Sequence, residues 1–96
     1  MTSLYSFIIQ SVSKISGIPT EDIAGDDHFQ EKLEMDSLEA VEVLHVIEVK
    51  YRIKFQDIEL EGLQTVNKIY AAAVKRIDEK KIHYAGVLSD FKKKNK

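Results

Sequence analysis

Three stretches of this chain set their apolar side chains three and four residues apart, and little interrupts them. In the first the apolar positions are Leu4, Phe7, Ile8, Val12 and Ile15. The second repeats the pattern with Ala40, Val43, Leu44, Ile47 and Tyr51, and the third with Val66, Ile69, Tyr70, Ala73 and Ile77. Such spacing gathers side chains on one face of a helix of about 3.6 residues per turn, whereas a half-buried strand needs strict alternation. One Pro and four Gly supply too little punctuation for a many-turned β fold. With 96 residues the chain is long enough for a single domain, and it buries roughly two-thirds of its unfolded surface. These features predict an all-α fold, a small antiparallel bundle of three long helices and one short helix, with a long loop between the first and second.

Local signals set the ends of these elements. Ser3 is placed to cap the first helix, and Gly17 followed by Ile18 and Pro19 ends it. From Pro19 to Asp36 no period is sustained, and Ile23, Phe29, Leu33 and Met35 are the candidates to anchor that loop. The second helix opens at Asp36-Ser37, either of which can cap it. A second stripe on it, Leu38, Val41, His45 and Glu48, faces away from the first; Val49 and Ile53 fit neither. Lys54 to Gly62 reads as a connection with one helical turn around Ile58 and Leu60. The last long helix opens near Gln64-Thr65, helped by the strong helix formers Ala71-Ala72-Ala73. The expected division is a bundle domain over residues 1–81 and a basic tail over 82–96. In the tail, Tyr84, Val87, Leu88 and Phe91 would form one helical face, which Gly86 opposes by roughly 1 kcal/mol. Docking on the bundle, binding a partner and remaining disordered all stay open for it.

The net charge of −2 is a cancellation. Residues 1–20 carry +1 from Lys14 alone; residues 21–61 carry 13 acids against four bases, −9; residues 62–96 carry nine bases against three acids, +6. An acidic middle disfavours nucleic acid and anionic membranes and steers basic protein partners toward itself. The start lacks a basic flank, and its longest apolar run, Phe7-Ile8-Ile9, is far short of a signal or membrane span. The expectation is a cytoplasmic monomer without membrane insertion.

Enzyme chemistry finds little footing. The absence of Cys excludes a thiol nucleophile and thiolate metal sites. His28, His45 and His83 stand far apart, outside any metal-ligand spacing. Gly25-Asp26-Asp27 lacks the alternating oxygen ligands of a calcium loop. No catalytic residue and no metal site are expected. One constellation does stand out, Leu33-Glu34-Met35-Asp36-Ser37-Leu38-Glu39. A serine at a helix start, after a long loop, is within reach of another enzyme, and the free N–H groups there favour a phosphate on its hydroxyl. The flanking acids with Leu38 and Val41 offer a partner both charge and apolar contact. The plainer alternative is that Asp36 or Ser37 merely caps the helix.

The triplet Asp36-Ser37-Leu38, with Glu39 and then Val41-Glu42, resembles the prosthetic-group site of acyl carrier proteins. Phe29 and Leu33 precede it at that family's spacing; Ile47-Glu48, Tyr51, Phe55, Asp57, Leu63 and Thr65-Val66 follow, so the resemblance covers about residues 4–80. An acid before the serine resembles acyl carriers more than peptidyl carriers, which usually have His there. The resemblance implies a covalent cofactor, 4′-phosphopantetheine, moved from coenzyme A onto Ser37 Oγ by a 4′-phosphopantetheinyl transferase with magnesium. The arm's thiol would hold acyl groups as thioesters, in fatty acid synthesis or a specialised lipid or polyketide pathway, which suits a chain with no Cys. It implies further partners, acyl-transferring or ketosynthase-type enzymes with basic docking patches, meeting Asp36, Leu38, Glu39, Val41, Glu42, His45 and Glu48. It also implies an acyl cavity lined by Phe29, Val43, Leu44, Ile47, Leu63 and Ile69, positions that plain core packing would fill equally well. Departures from the family are concentrated at the second helix's end. Val49, Lys50, Arg52 and Lys54 stand where housekeeping fatty-acid carriers usually place acids, His45 where Met or another apolar contact is usual, and Gln56 where Pro is common. Bases for acids reverse attraction there, pointing to a carrier with a dedicated synthase or to lineage drift. A carrier of aminoacyl, D-alanyl or peptidyl groups and an unmodified helical interaction module remain as alternatives.

Overall fold

A computed structural model describes the chain from Ser3 to Lys94, and its side chains as far as Lys80. Three α-helices, α1 (Leu4–Ser16), α2 (Ser37–Tyr51) and α3 (Val66–Lys94), are joined by loops that contain two 3₁₀ segments, Thr20–Asp22 and Asp57–Gly62. No strand occurs among the described residues. The expected three long helices and one short one are therefore present. The Thr20–Asp22 turn is an addition, too short for any periodicity to announce.

The Ser3 hydroxyl accepts the Ser6 N–H at 3.1 Å and starts α1. Gly17 stops it with φ 80°, a left-handed conformation that costs a residue without Cβ little, while its N–H returns to the Ser13 carbonyl. Ile8 and Val12 are fully buried. Phe7, early in α1, meets Tyr51 at the end of α2 edge-on, with ring centroids 5.7 Å apart. Lys14 and Ile15, late in α1, share a groove with Glu42 and Val46. The two helices thus run antiparallel.

The long loop is pinned throughout. Ile23, Phe29, Leu33 and Met35 are all buried, as their isolation among polar neighbours predicted. Backbone bonds reinforce them: Phe29 N–H donates to the Gln64 carbonyl at 2.9 Å, Met35 N–H to the Phe29 carbonyl at 2.8 Å, and Asn67 N–H to the Gly25 carbonyl at 2.9 Å. His28 Nδ1 accepts the N–H groups of Gln30 and Glu31, both at 3.2 Å. Buried backbone groups need such partners, and here they fix a segment with no regular ladder.

Gly25 lies so close to its neighbours that a Cβ would strike the Tyr5 hydroxyl and the Asn67 side chain. Those two groups are hydrogen-bonded to each other at 2.9 Å. Gly25→Ala is therefore expected to break their bond and cost about 1 kcal/mol. The measurement is the urea midpoint, which should fall at constant slope. An unmoved midpoint would mean that both side chains yield freely.

Thr65 Oγ1 accepts the Lys68 N–H at 3.1 Å, so α3 begins at Val66. Val66, Ile69 and Ala73 are buried, and Ile77 is half-buried. Tyr70, assigned to the core by its spacing, is instead exposed and stacks edge-on with Tyr5 at 5.4 Å. Arg76 pairs with Glu59 of the second 3₁₀ segment and, at 2.9 Å, with Glu79 on its own helix. Its proton affinity is raised above the ordinary value, first by the Glu59 hydrogen bond and then by Glu79. The guanidinium's share of the stabilisation is complete below the ordinary arginine range and is lost only as pH rises through that raised value.

Lys80 Nζ donates to the Arg52 carbonyl at 3.1 Å, which ties α3 to the end of α2. The helix continues unbroken to Lys94, so the expected boundary after residue 81 falls inside it with no break in the backbone. The contacts of Tyr84, Val87, Leu88 and Phe91 lie outside the described residues. Among the described residues, no helix is long and apolar enough to cross a membrane.

Candidate functional site: a serine at a capped helix start

Two acids start α2. The Asp36 carboxylate accepts the Glu39 N–H at 2.8 Å, and the Glu39 carboxylate accepts the Asp36 N–H at 3.1 Å, a reciprocal capping box. Either Asp36 or Ser37 was able to cap by residue type; the structure gives the task to Asp36. Ser37 is the first helical residue, exposed, and its Oγ accepts a 3.3 Å bond from Gln30 Nε2. The N–H groups of the first turn have no helical carbonyl four residues back, and the helix dipole places partial positive charge beside that hydroxyl. Just upstream, Glu34 takes the left-handed conformation, φ 55°, between the buried anchors Leu33 and Met35.

One cleft opens beside this serine, and a second adjoins it along Val41, Leu44 and Leu60. One, of about 190 Å³, is bordered by Ser37, Gln30, Val41, Leu44, Leu60 and Gln64. The other, of about 230 Å³, is bordered by Val41, Leu44, His45, Lys54, Phe55 and Leu60. Gln64, which borders the first, has its Oε1 buried without a hydrogen-bond partner. Of the six residues expected to line an acyl cavity, Leu44 alone borders these clefts. Phe29, Val43, Ile47 and Ile69 are 0 % exposed and Leu63 is 5 %, all within one packed core. Leu44, with Ala40 and Phe55, therefore separates the clefts from that core.

The residues expected at a docking face divide in two. Asp36, Leu38, Val41, Glu42 and His45 are exposed, Leu38 to 80 %. Glu39 is half-buried within the capping box. Glu48 is half-buried as well, and its carboxylate accepts the Phe55 N–H at 2.8 Å, so it is turned to the chain itself. Sequence reasoning did not find Gln30, Leu60, Glu61 and Gln64 beside the serine, nor the exposure of Ile58, which reaches 89 %. The signal for Ile58 was a spacing of three: in a 3₁₀ segment residues i and i+3 share a face, which groups Ile58 with exposed Glu61.

A family model described as the phosphopantetheine attachment site matches residues 6–73. An acyl carrier protein of Acidothermus cellulolyticus is 34 % identical over 59 residues, 62 % of this chain and 70 % of that protein. One of Rhodococcus erythropolis is 39 % identical over 62 residues, 65 % of this chain and 68 % of that protein. A meromycolate extension acyl carrier protein of Mycolicibacterium aurum is 28 % identical over 83 residues, 86 % of this chain and 84 % of that protein.

Proposed function

The chain belongs to the acyl carrier protein family, and from that premise we propose that Ser37 is the residue that bears its 4′-phosphopantetheine. The family's members carry acyl groups and are not enzymes; their prosthetic group is 4′-phosphopantetheine, and they serve a phosphopantetheinyl transferase and the enzymes of fatty acid synthesis. The observation that carries the assignment is the capping box. Asp36 and Glu39 make the cap between them, which leaves the Ser37 hydroxyl exposed and without a capping task there. Ser37 also lies within the stretch that matches the family.

The surroundings suit the group. Its arm alternates amides with short apolar links. The adjoining cleft offers Val41, Leu44 and Leu60 as apolar wall and the Gln30 amide as a polar contact. When bound, the group supplies the thiol that holds acyl chains as thioesters. In the attachment step Ser37 Oγ bonds to the phosphopantetheinyl phosphorus of coenzyme A and loses its proton, and 3′,5′-adenosine bisphosphate leaves. The first turn's N–H groups then lie beside the new phosphodiester charge. The cargo in this reading is a fatty-acyl or related lipid chain, which the words meromycolate extension in the name of the Mycolicibacterium relative support. The docking face is Asp36, Leu38, Val41, Glu42 and His45, and the carrier domain is residues 1–81 with 82–96 as a basic extension.

The test is intact mass after incubation with coenzyme A and a promiscuous phosphopantetheinyl transferase. A gain of one phosphopantetheine, mapped by fragmentation to the peptide holding Ser37, is expected. No gain, or a gain mapped elsewhere, overturns the assignment. Thioesters trapped from cells then distinguish acyl from aminoacyl cargo.

A further inference from the structure

The outer face of α2 changes chemistry along its length. Leu38, Glu42, His45 and Val49 follow one another at four, three and four residues, so they form a single seam. All four are exposed, Val49 to 64 %, although its spacing had assigned it to no face. At about 1.5 Å of rise per residue, the seam runs about 16 Å from Leu38 to Val49.

Its two ends differ in charge: acids alone stand at the first, and bases outnumber acids at the second. Near Ser37 stand Asp36 and the exposed Glu34 and Glu61; Glu42, further along, is exposed and borders the groove to α1 that Lys14 also lines. Beyond Glu42 the next acid of the helix is Glu48, which is engaged with the Phe55 N–H. That contact holds Oε2 toward the chain and leaves Oε1 as the oxygen open to a partner. The bases at the far end are not equivalent either. Lys50 leans across the Phe7 ring, its Nζ 5.7 Å from the centroid, and so points toward α1 and off the seam. Arg52 is exposed at the helix cap, where Lys80 holds its carbonyl. Lys54 is exposed and borders the cleft that also holds His45 and the acids Glu48 and exposed Asp57, so Arg52 is the base of this end with no acid beside it in that cleft.

A uniformly basic partner would meet acids at one end of this face and Arg52 with Lys54 at the other. Like charges facing each other across an interface suppress association. We infer that the enzyme that works on this carrier has a two-part docking surface. A basic patch meets Asp36 and Glu42; an acidic patch about 20 Å away, the length of α2, meets Arg52 and Lys54; an apolar contact for Val49 lies between. This rests on the reading of Ser37 above, since the arm's attachment point is what brings α2 to a partner.

Charge reversal tests it. Arg52 sits in the left-handed region at φ 55°, which Asp tolerates better than Glu, so the variant is Arg52→Asp with Lys54→Glu, beside the neutral pair Arg52→Asn with Lys54→Gln. Each is loaded with phosphopantetheine and an acyl chain, then assayed with a fatty-acid ketosynthase whose docking surface is wholly basic. The reversal is expected to raise kcat/KM about ten-fold, the neutral pair by less, with the gain lost near 1 M salt, where the screening length is about 3 Å. Unchanged or lowered kcat/KM for the reversal overturns the inference. Should the double reversal not fold, Lys54→Glu alone, away from the strained position, decides by the same comparison. Failure of loading in the wild type would count against Ser37 as the attachment residue; normal loading with unmoved turnover counts against the two-part surface alone.

Discussion

Phe29→Ala is expected to destabilise the domain by about 3–5 kcal/mol, the range for truncating a buried aromatic. Phe29 is 0 % exposed and among the largest fully buried side chains. Its backbone is equally engaged, with the N–H on the Gln64 carbonyl and its own carbonyl accepting Met35 N–H. The backbone thus ties the loop between α1 and α2 to Gln64, two residues before α3, while the ring fills the core beneath it. Native domains are stable by about 5–15 kcal/mol in total, so this one truncation removes a large fraction. Urea unfolding should show a strongly lowered midpoint. Leu38→Ala, at a side chain 80 % exposed, should stay within about 0.5 kcal/mol of the parent. A Phe29→Ala loss below about 1 kcal/mol would mean that the core collapses around the gap and the loop has other anchors. The loss should also reach function, because the same loop carries Gln30 and leads directly into the Asp36 cap.

The helices were legible because an apolar face at helical spacing has few other uses, and the loop's anchors because Ile23, Phe29, Leu33 and Met35 each stand alone among polar neighbours. The cap was legible in part. Asp36 and Ser37 cap equally well by residue type, yet Glu39 three residues after Asp36 is the mark of a capping box, and that spacing singles out Asp36. The clefts were not legible. Their walls come from Gln30, from Val41 and Leu44, and from Leu60 and Gln64, and only the placement of the 3₁₀ segment unites them. The cavity set shows a different limit: apolar residues at helical spacing look the same whether they wall a space or fill it, and here all six lie in the core, with Leu44 also at the clefts. Glu48 read as part of an exposed stripe because nothing in the sequence flags the left-handed turn at Arg52, which returns the chain so that Phe55 N–H reaches the carboxylate.

The strongest contrast expected is between two adjacent residues. Ser37→Ala should abolish phosphopantetheine loading outright and change stability by less than about 0.5 kcal/mol. Asp36→Ala should cost about 1 kcal/mol and still be loaded, more slowly. Asp36 holds the Glu39 N–H, so its removal leaves a first-turn donor bare and loosens the start of α2. Ser37 holds no N–H there; its Oγ accepts one long bond from an exposed Gln30, and Ala is a good helix former in its place. Loading rate by intact mass and urea midpoints on the same three proteins measure both effects together. If Ser37→Ala costs as much as a lost cap, the hydroxyl has a structural task and its exposure means less. If the variant is still loaded, the attachment residue is another one. A residue that matters wholly for modification and hardly for folding is what an attachment site requires, since the hydroxyl must be free before the transferase arrives and the helix must stand after it leaves.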